Sequence, residues 1–171
     1  MPGFTIGTTL KRGFPGSYAA MPDDVVRARP VAKTSAIIPF GSAVALNTDG
    51  TYSLFGASDT MAKLAGIALR TVKQTENYTN QSQVEYKPGQ DADVLLRGEV
   101  SVLCTVGTPT AGGKVFLRTA ANASVPAGVV GGLETAADST NTVELTNCRW
   151  VGNAKDADNV TALCILTRNL P

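Results

Sequence analysis

Apolar and polar positions alternate along this chain in short bursts, and no helical period is sustained. The clearest burst is residues 99–106, where Val100, Val102, Cys104 and Val106 fall on one side of a period-two pattern and Glu99, Ser101, Leu103 and Thr105 on the other. That pattern predicts a half-buried antiparallel strand. A second strand is predicted over 92–96, entered from a Pro88-Gly89 turn and separated from the first by a break at Gly98. Upstream, Asp49-Gly50 sits between apolar stretches and predicts a tight hairpin pairing residues 43–46 with 51–55, after Pro39 and Gly41 have interrupted the preceding run. Downstream, Gly112-Gly113 leads into a strand over 114–118. The final unit holds two strands, 143–151 with Val143, Leu145 and Trp150, and 160–166, joined by polar residues that include Asp156, Asp158 and Asn159. In the second of these, Leu163 and Ile165 lie on one face and Ala162, Cys164 and Leu166 on the other.

Between these strands the pattern is looser. MAKLAGIALRTV at 61–72 inclines toward strand through Ile67-Ala68-Leu69, with a helix over 59–64, capped by Ser58 or Asp59, as the alternative. Residues 73–83 are polar and amide-rich and read as an excursion from the sheet, and 119–141 read as a poorly regular, glycine-rich segment. The first 33 residues are crowded with proline and glycine and hold no lasting strand or helix period, which predicts an extended arm or loop-rich lead-in, either mobile or ordered against a neighbouring molecule. The fold expected is all-β: a compact antiparallel β-barrel or β-sandwich of seven or eight short strands with an extended N-terminal arm, divided as 1–33 and 34–171. A faint echo between FGSAVAL and GGKVFLR does not amount to a repeat.

Composition narrows the chemistry. At 171 residues the chain fits one ordinary domain with a real core. Fifteen Lys and Arg against fourteen Asp and Glu give a formal charge of +1, with 17% of residues charged, so no global positive field draws nucleic acid. Aromatic residues make up 6%, too few for a base-stacking platform. The absence of histidine removes the commonest general base and metal ligand. Cys104, Cys148 and Cys164 form no ligand-spaced cluster and read as buried thiols, with a Cys148–Cys164 bridge open only to suitable cross-strand geometry. No apolar run is long enough to span a bilayer, and no secretory leader is visible. Phosphate-loop, dinucleotide, zinc-protease, calcium-loop and serine-elbow motifs are missing. Asp91 with Asp93, and Asp156 with Asp158, are spaced to share a strand face but lie in predicted turns, so they read as solvated turn carboxylates. Lys33, Lys73 and Lys87 read as surface charges, and Asn77-Tyr78-Thr79 is only a nominal glycosylation acceptor. Arg97 and Glu99 bracket Gly98 and read as a simple exposed pair, with an edge ion pair or an intersubunit contact as the alternative, and Trp150 reads as a core or oligomer anchor. No catalytic residue, cofactor site or metal site is assigned.

The ordered series SAIIPFGSAVALNTDGTYSL, AGIALRTVK, YKPGQDADVLLRGEVSV, TAGGKVFLR and NCRWVGNAKDADNVTALCIL resembles the structural cement, or capsid decoration, proteins of tailed bacteriophages over roughly residues 34–168. The resemblance implies a β-rich, non-enzymatic subunit made in the host bacterial cytoplasm. It would sit on the outer surface of the icosahedral capsid, bridge neighbouring major capsid proteins and stabilise the expanded head. It also implies the major capsid protein and a homo-oligomer as partners, with no direct nucleic-acid or membrane contact. On that reading Phe4, Phe14 and Tyr18 are arm anchors, and Arg27 and Arg29 contact acidic groups on the shell. The alternative is a carbohydrate-binding or host-recognition β module displayed on the virion, which needs a concave site with exposed aromatics. Its candidates are Tyr52, Tyr78, Tyr86 and Trp150. A hydrolase built on aspartates is a remote third class.

Overall fold

The computed structural model describes residues 13–70 and 85–167. Phe4, Lys73, Asn77, Tyr78 and the polar excursion at 73–83 lie outside that range. The strands in chain order are β1 (Tyr18–Pro30), β2 (Ile38–Pro39), β3 (Ala43–Leu46), β4 (Tyr52–Leu54), β5 (Leu64–Ala68), β6 (Glu85–Tyr86), β7 (Asp91–Leu103), β8 (Phe116–Arg118), β9 (Leu133–Glu134), β10 (Thr142–Glu144), β11 (Cys148–Trp150) and β12 (Val160–Ile165). All their ladders are antiparallel. The main sheet has the order β11-β12-β7-β5-β3-β4 with β1 also paired to β7. A three-stranded sheet, β10-β8-β9, and a β2-β6 pair complete the fold.

Among the described residues none of the sheets is closed into a barrel, and the two ends of the main sheet show why. The Gly112 N–H donates to the Trp150 carbonyl at 2.8 Å, so the loop before β8 occupies the β11 edge. At the other end the Ala32 N–H donates to the Tyr52 carbonyl at 2.8 Å, and the Leu54 N–H donates to Ser35 Oγ at 3.2 Å, which covers β4. Backbone groups at both edges are satisfied by loops rather than by each other.

β7 is the spine, and it differs from the sequence expectation by running unbroken through Gly98. Ala92, Val94 and Leu96 pack into a cluster with Val31, Ile38, Phe40, Tyr52 and Tyr86. After the glycine, Val100, Val102 and Cys104 pack into a second cluster with Leu117, Leu133, Leu145 and Trp150. Even-numbered positions therefore change core midway along one strand. A register shift does this: Val25 opposes Arg97 but Val26 opposes Leu95, so Leu96 is the extra residue of a bulge. Gly98 supplies the unusual backbone, with φ of +125°, and a β-carbon there would sit 2.1 Å from Asp24 Oδ1. An isolated glycine in a strand pattern signals a bulge as readily as a break.

Three further expectations change. Residues 18–30, expected to hold no strand, form one of the two longest strands, because their apolar spacing is masked by a bulge and by Pro22 and Pro30. The strand expected over 143–151 is two strands in different sheets, β10 on β8 and β11 on β12. A tight turn, with the Cys148 N–H donating to the Leu145 carbonyl at 3.2 Å, buries Leu145 between them. The described part of the 61–72 stretch follows the strand reading through β5, and the alternative helix over 59–64 is reduced to a single uncapped 3-10 turn at Met61–Lys63. The hairpin is as expected. Leu46 opposes Tyr52, Gly50 has φ of +83°, and Asp49 accepts hydrogen bonds from the Thr51 N–H and hydroxyl.

The segment at 119–141, expected to be poorly regular, contains the short strand β9 paired with β8, and charge holds the rest of it. Arg118, fully buried at the end of β8, forms a two-point ion pair with the equally buried Glu134, its Nη2 2.8 Å from Glu134 Oε2. Its Nη1 lies 2.8 Å from Asp138 Oδ2, and Asn122 Nδ2 donates to both Asp138 oxygens at 3.0 and 2.9 Å. The Asn122 hydrogen bonds, followed by Arg118, hold the Asp138 carboxyl below its ordinary range. A carboxyl whose pKa falls on folding stabilises the fold above its unfolded value near 4, and that contribution disappears as pH drops through the folded value. Stability should therefore fall below about pH 4, and Asp138→Asn should flatten that fall; equal acid profiles for the two proteins would rule this out.

Candidate functional site

The residues singled out as contact anchors lie on β1 and its lead-in. Phe14 is 55% exposed, and its ring carries the Arg70 guanidinium 4.6 Å from the centroid. Two backbone bonds fix this lead-in: the Gly16 N–H donates to the Ser101 carbonyl at 2.7 Å, and the Arg70 N–H donates to the Gly16 carbonyl at 2.8 Å. Gly16 is required there, since a β-carbon would lie 2.7 Å from the Arg70 nitrogen and the φ is +81°. Tyr18 opposes Val100 and is 44% exposed. Burial, then Asp24 and Asp93, push the Tyr18 phenol up, so it remains a hydrogen-bond donor at neutral pH. Arg27 is exposed, whereas Arg29 is partly buried and donates to the Gly50 carbonyl at 3.1 Å, tying β1 to the β3–β4 hairpin. The segment thus presents a strip containing Phe14, Tyr18, Val26 and Arg27, with Arg29 serving the fold as well.

Asp23 and Asp24 begin the basic half of that strip with opposite charge. Asp23 pairs with Arg97 at 2.5 Å on the surface, so Arg97 has its partner on β1. The Asp24 carboxylate oxygens are buried without a hydrogen-bond partner, against Gly98. Beside them a shallow open cleft of about 280 Å³ is bounded by Arg97, Glu99, Cys164 and Leu166. Burial, then Glu99 and Asp23, raise the Cys164 thiol, and burial pushes Cys148 up to about 12. Neither is a thiolate nucleophile at neutral pH. Cys148 opposes Ile165 and Arg149 opposes Cys164, which places the two thiols on opposite faces, and all three cysteines are free.

The aromatic candidates for a sugar platform are core residues. Tyr52, Tyr86 and Trp150 are each at most 2% exposed. Tyr86 donates to the Leu69 carbonyl at 2.7 Å and packs edge-on against Phe40, while Trp150 anchors the second cluster. Asp156 closes a turn by accepting from the Asp158 and Val160 N–H groups at 3.0 and 2.9 Å. Asp91 and Asp93 sit at the start of β7 rather than in a turn. Among the described residues no cluster of three or more Cys, Asp or Glu has the geometry of a metal site. Sequence reasoning missed the Arg118–Glu134–Asp138 network, whose only signal is one arginine closing an apolar strand.

What the surface offers is an exposed, mixed apolar and charged strip along a sheet edge, suited to contact with another protein. Comparison with known proteins agrees with the architecture. A solved chain from the capsid of Myoviridae phage XM1 has the same fold, with a TM-score of 0.72, 19% identity and 96% of each chain covered. No curated protein matches the sequence. The family model described as structural cement protein (E217 gp24/Pam3 gp6) matches residues 3–168, nearly the full length, and the chain belongs to that phage structural cement family.

Proposed function

We propose that the protein binds the outer surface of an icosahedral phage capsid, bridges neighbouring major capsid proteins and stabilises the expanded head without catalysing a reaction. The observation that carries this reading is the family match across residues 3–168. The strip from Phe14 to Arg27 supplies the kind of contact the role needs: exposed aromatic area with a cation beside it, on backbone held by ladder bonds. A shell repeats each contact many times, so individually weak contacts suffice. In this scheme Phe14 and Tyr18 anchor on the shell and Arg27 meets acidic groups there. The protein is made in the host cytoplasm and functions in the virion.

Co-sedimentation of the purified protein with expanded shells lacking it, beside unexpanded shells, tests the proposal. Saturable binding at a fixed ratio to the major capsid protein, selective for expanded shells, is the expected result. Phe14→Ala with Arg27→Glu should weaken binding by about tenfold or more, equivalent to ~1.4 kcal/mol. Absence of binding to a matched shell would overturn the proposal, and unchanged binding by the double variant would remove the strip from it.

A further inference from the structure

Unpaired negative charge lies beside the contact strip. Between Ala20, opposite Glu99, and Val25, opposite Arg97, β1 carries more residues than β7, and Asp23 and Asp24 stand on that bulge. With Arg97 and Glu99 of β7, and with Cys164 and Leu166 at the end of β12, they bound the cleft of about 280 Å³. Three carboxylates thus share it with one guanidinium. Arg97 is engaged by Asp23 at 2.5 Å, and among the described residues no ion pair reaches Asp24 or Glu99. Both Asp24 oxygens are buried against Gly98 without a hydrogen-bond partner. The excess acid is felt at Cys164, where burial, then Glu99 and Asp23, raise the thiol and Arg97 opposes them with the smallest influence.

A buried carboxylate without a partner is costly, and a counter-ion that brings hydrogen-bond donors relieves that cost. A bare metal ion is a poor match, since among the described residues no three acids have the geometry of a metal site. The cleft falls just below the range of about 300–1,000 Å³ for small-molecule pockets, so it suits one long side chain rather than a whole ligand. Leu166, 51% exposed, gives an apolar rim on which an aliphatic stem lies while its charged head reaches the acids. We propose that the cleft receives one basic side chain, an arginine or a lysine, projecting from the major capsid protein, with Asp24 and Glu99 as its acceptors. The Asp24 side chain turns from Gly98 toward the base as it arrives. Arg27 follows on the same strand with the opposite charge, so the partner surface carries a base opposite Asp24 and an acid opposite Arg27. That polarity fixes the direction in which the subunit lies on the shell, because the reversed pose sets like charges together. The inference rests on the capsid-binding reading and adds to it the chemistry of the partner at this point.

Co-sedimentation of the variant carrying Asp24→Asn and Glu99→Gln with expanded shells tests the cleft. It should bind at least about tenfold more weakly than wild type, the loss expected when one side of a desolvated charge pair is removed. It should be no easier to unfold in urea, because the substitutions remove a buried charge that had no partner. Amide resonances give a readout without shells, with N-acetyl-arginine amide and N-acetyl-lysine amide as probes and N-acetyl-norleucine amide as the uncharged control. Saturable shifts at Gly98, Glu99 and Cys164 are expected with a basic probe, absent in the double variant and absent with the control. The larger response identifies the base as arginine or lysine. Unchanged shell binding by the double variant would overturn the inference and leave the capsid reading standing. No shift with either basic probe, or equal shifts with norleucine, would also overturn it. So would a fall in urea stability that accounts for the lost binding, since Asp24 and Glu99 would then serve only the fold. A wild-type protein that binds no matched shell would overturn both readings.

Discussion

Arg118→Met should lower the free energy of unfolding by about 3–5 kcal/mol, the loss that follows removal of one partner from a buried ion pair. Arg118 is fully buried at the end of β8, and it is the common partner of Glu134 and Asp138. Deleting it strands the Glu134 carboxylate, itself 1% exposed, in an apolar setting without its counter-ion. It also releases Asp138 and, through it, Asn122, so the loop carrying them loses its ties to β8. Gly128 marks how closely that loop is applied: a β-carbon there would lie 2.1 Å from Arg118 Nε. Urea unfolding followed by the fluorescence of the buried Trp150 measures the loss, and a change below about 1 kcal/mol would contradict it. Arg118→Met combined with Glu134→Leu should recover much of the stability, since replacing both partners by apolar groups leaves no buried charge.

Gly66→Val should cost at least about 3 kcal/mol, at the upper limit of overpacking effects. Gly66 lies in the middle of β5, where every residue is buried. A β-carbon built on it would stand 1.9 Å from the Leu95 carbonyl oxygen and 2.8 Å from the Leu95 carbonyl carbon. Those atoms are backbone of β7 and cannot swing aside as a side chain would. Accommodating valine means moving β5 off β7 and breaking the Ile67–Leu95 and Ala68–Val94 pairs, where the two apolar clusters meet across the sheet. Gly56→Ala is the matched control, because nothing lies within 4 Å of a β-carbon there. Its stability should stay within about 0.5 kcal/mol of wild type. If Gly66→Val were as harmless as Gly56→Ala, the close approach of β5 to β7 would be wrong.

These sites show where the sequence is informative. The Asp49-Gly50 hairpin and the alternation of β12 are written locally, in residues that touch within a few positions, and both appear as expected. β1 is not, because its pairing with β7 depends on a bulge at Leu96 and on Gly98 accepting the Asp24 carboxylate, contacts more than 70 residues apart in the chain. The split of 143–151 was hidden for a similar reason. Leu145 and Trp150 are apolar in both descriptions, and only the tertiary arrangement assigns their strands to different sheets. For the contact strip, the sequence expected Phe14, Tyr18 and Arg27 in an extended arm; the structure leaves all three exposed but sets Tyr18 and Arg27 in a strand paired with β7. Arg29 turned out to be tied to the hairpin, and three of the four sugar-platform candidates turned out to be core.

The loops laid along β4 and β11 bear on how such a molecule behaves when crowded. A β protein with two bare edges can add copies at both ends and grow into a ribbon or fibre. Here, among the described residues, one end of the main sheet is sealed by residues 32–35 and the other by 112–113. Growth by strand addition at either of those two ends is therefore blocked. Molecules crowded side by side are thereby kept from knitting into a continuous sheet through β4 or β11.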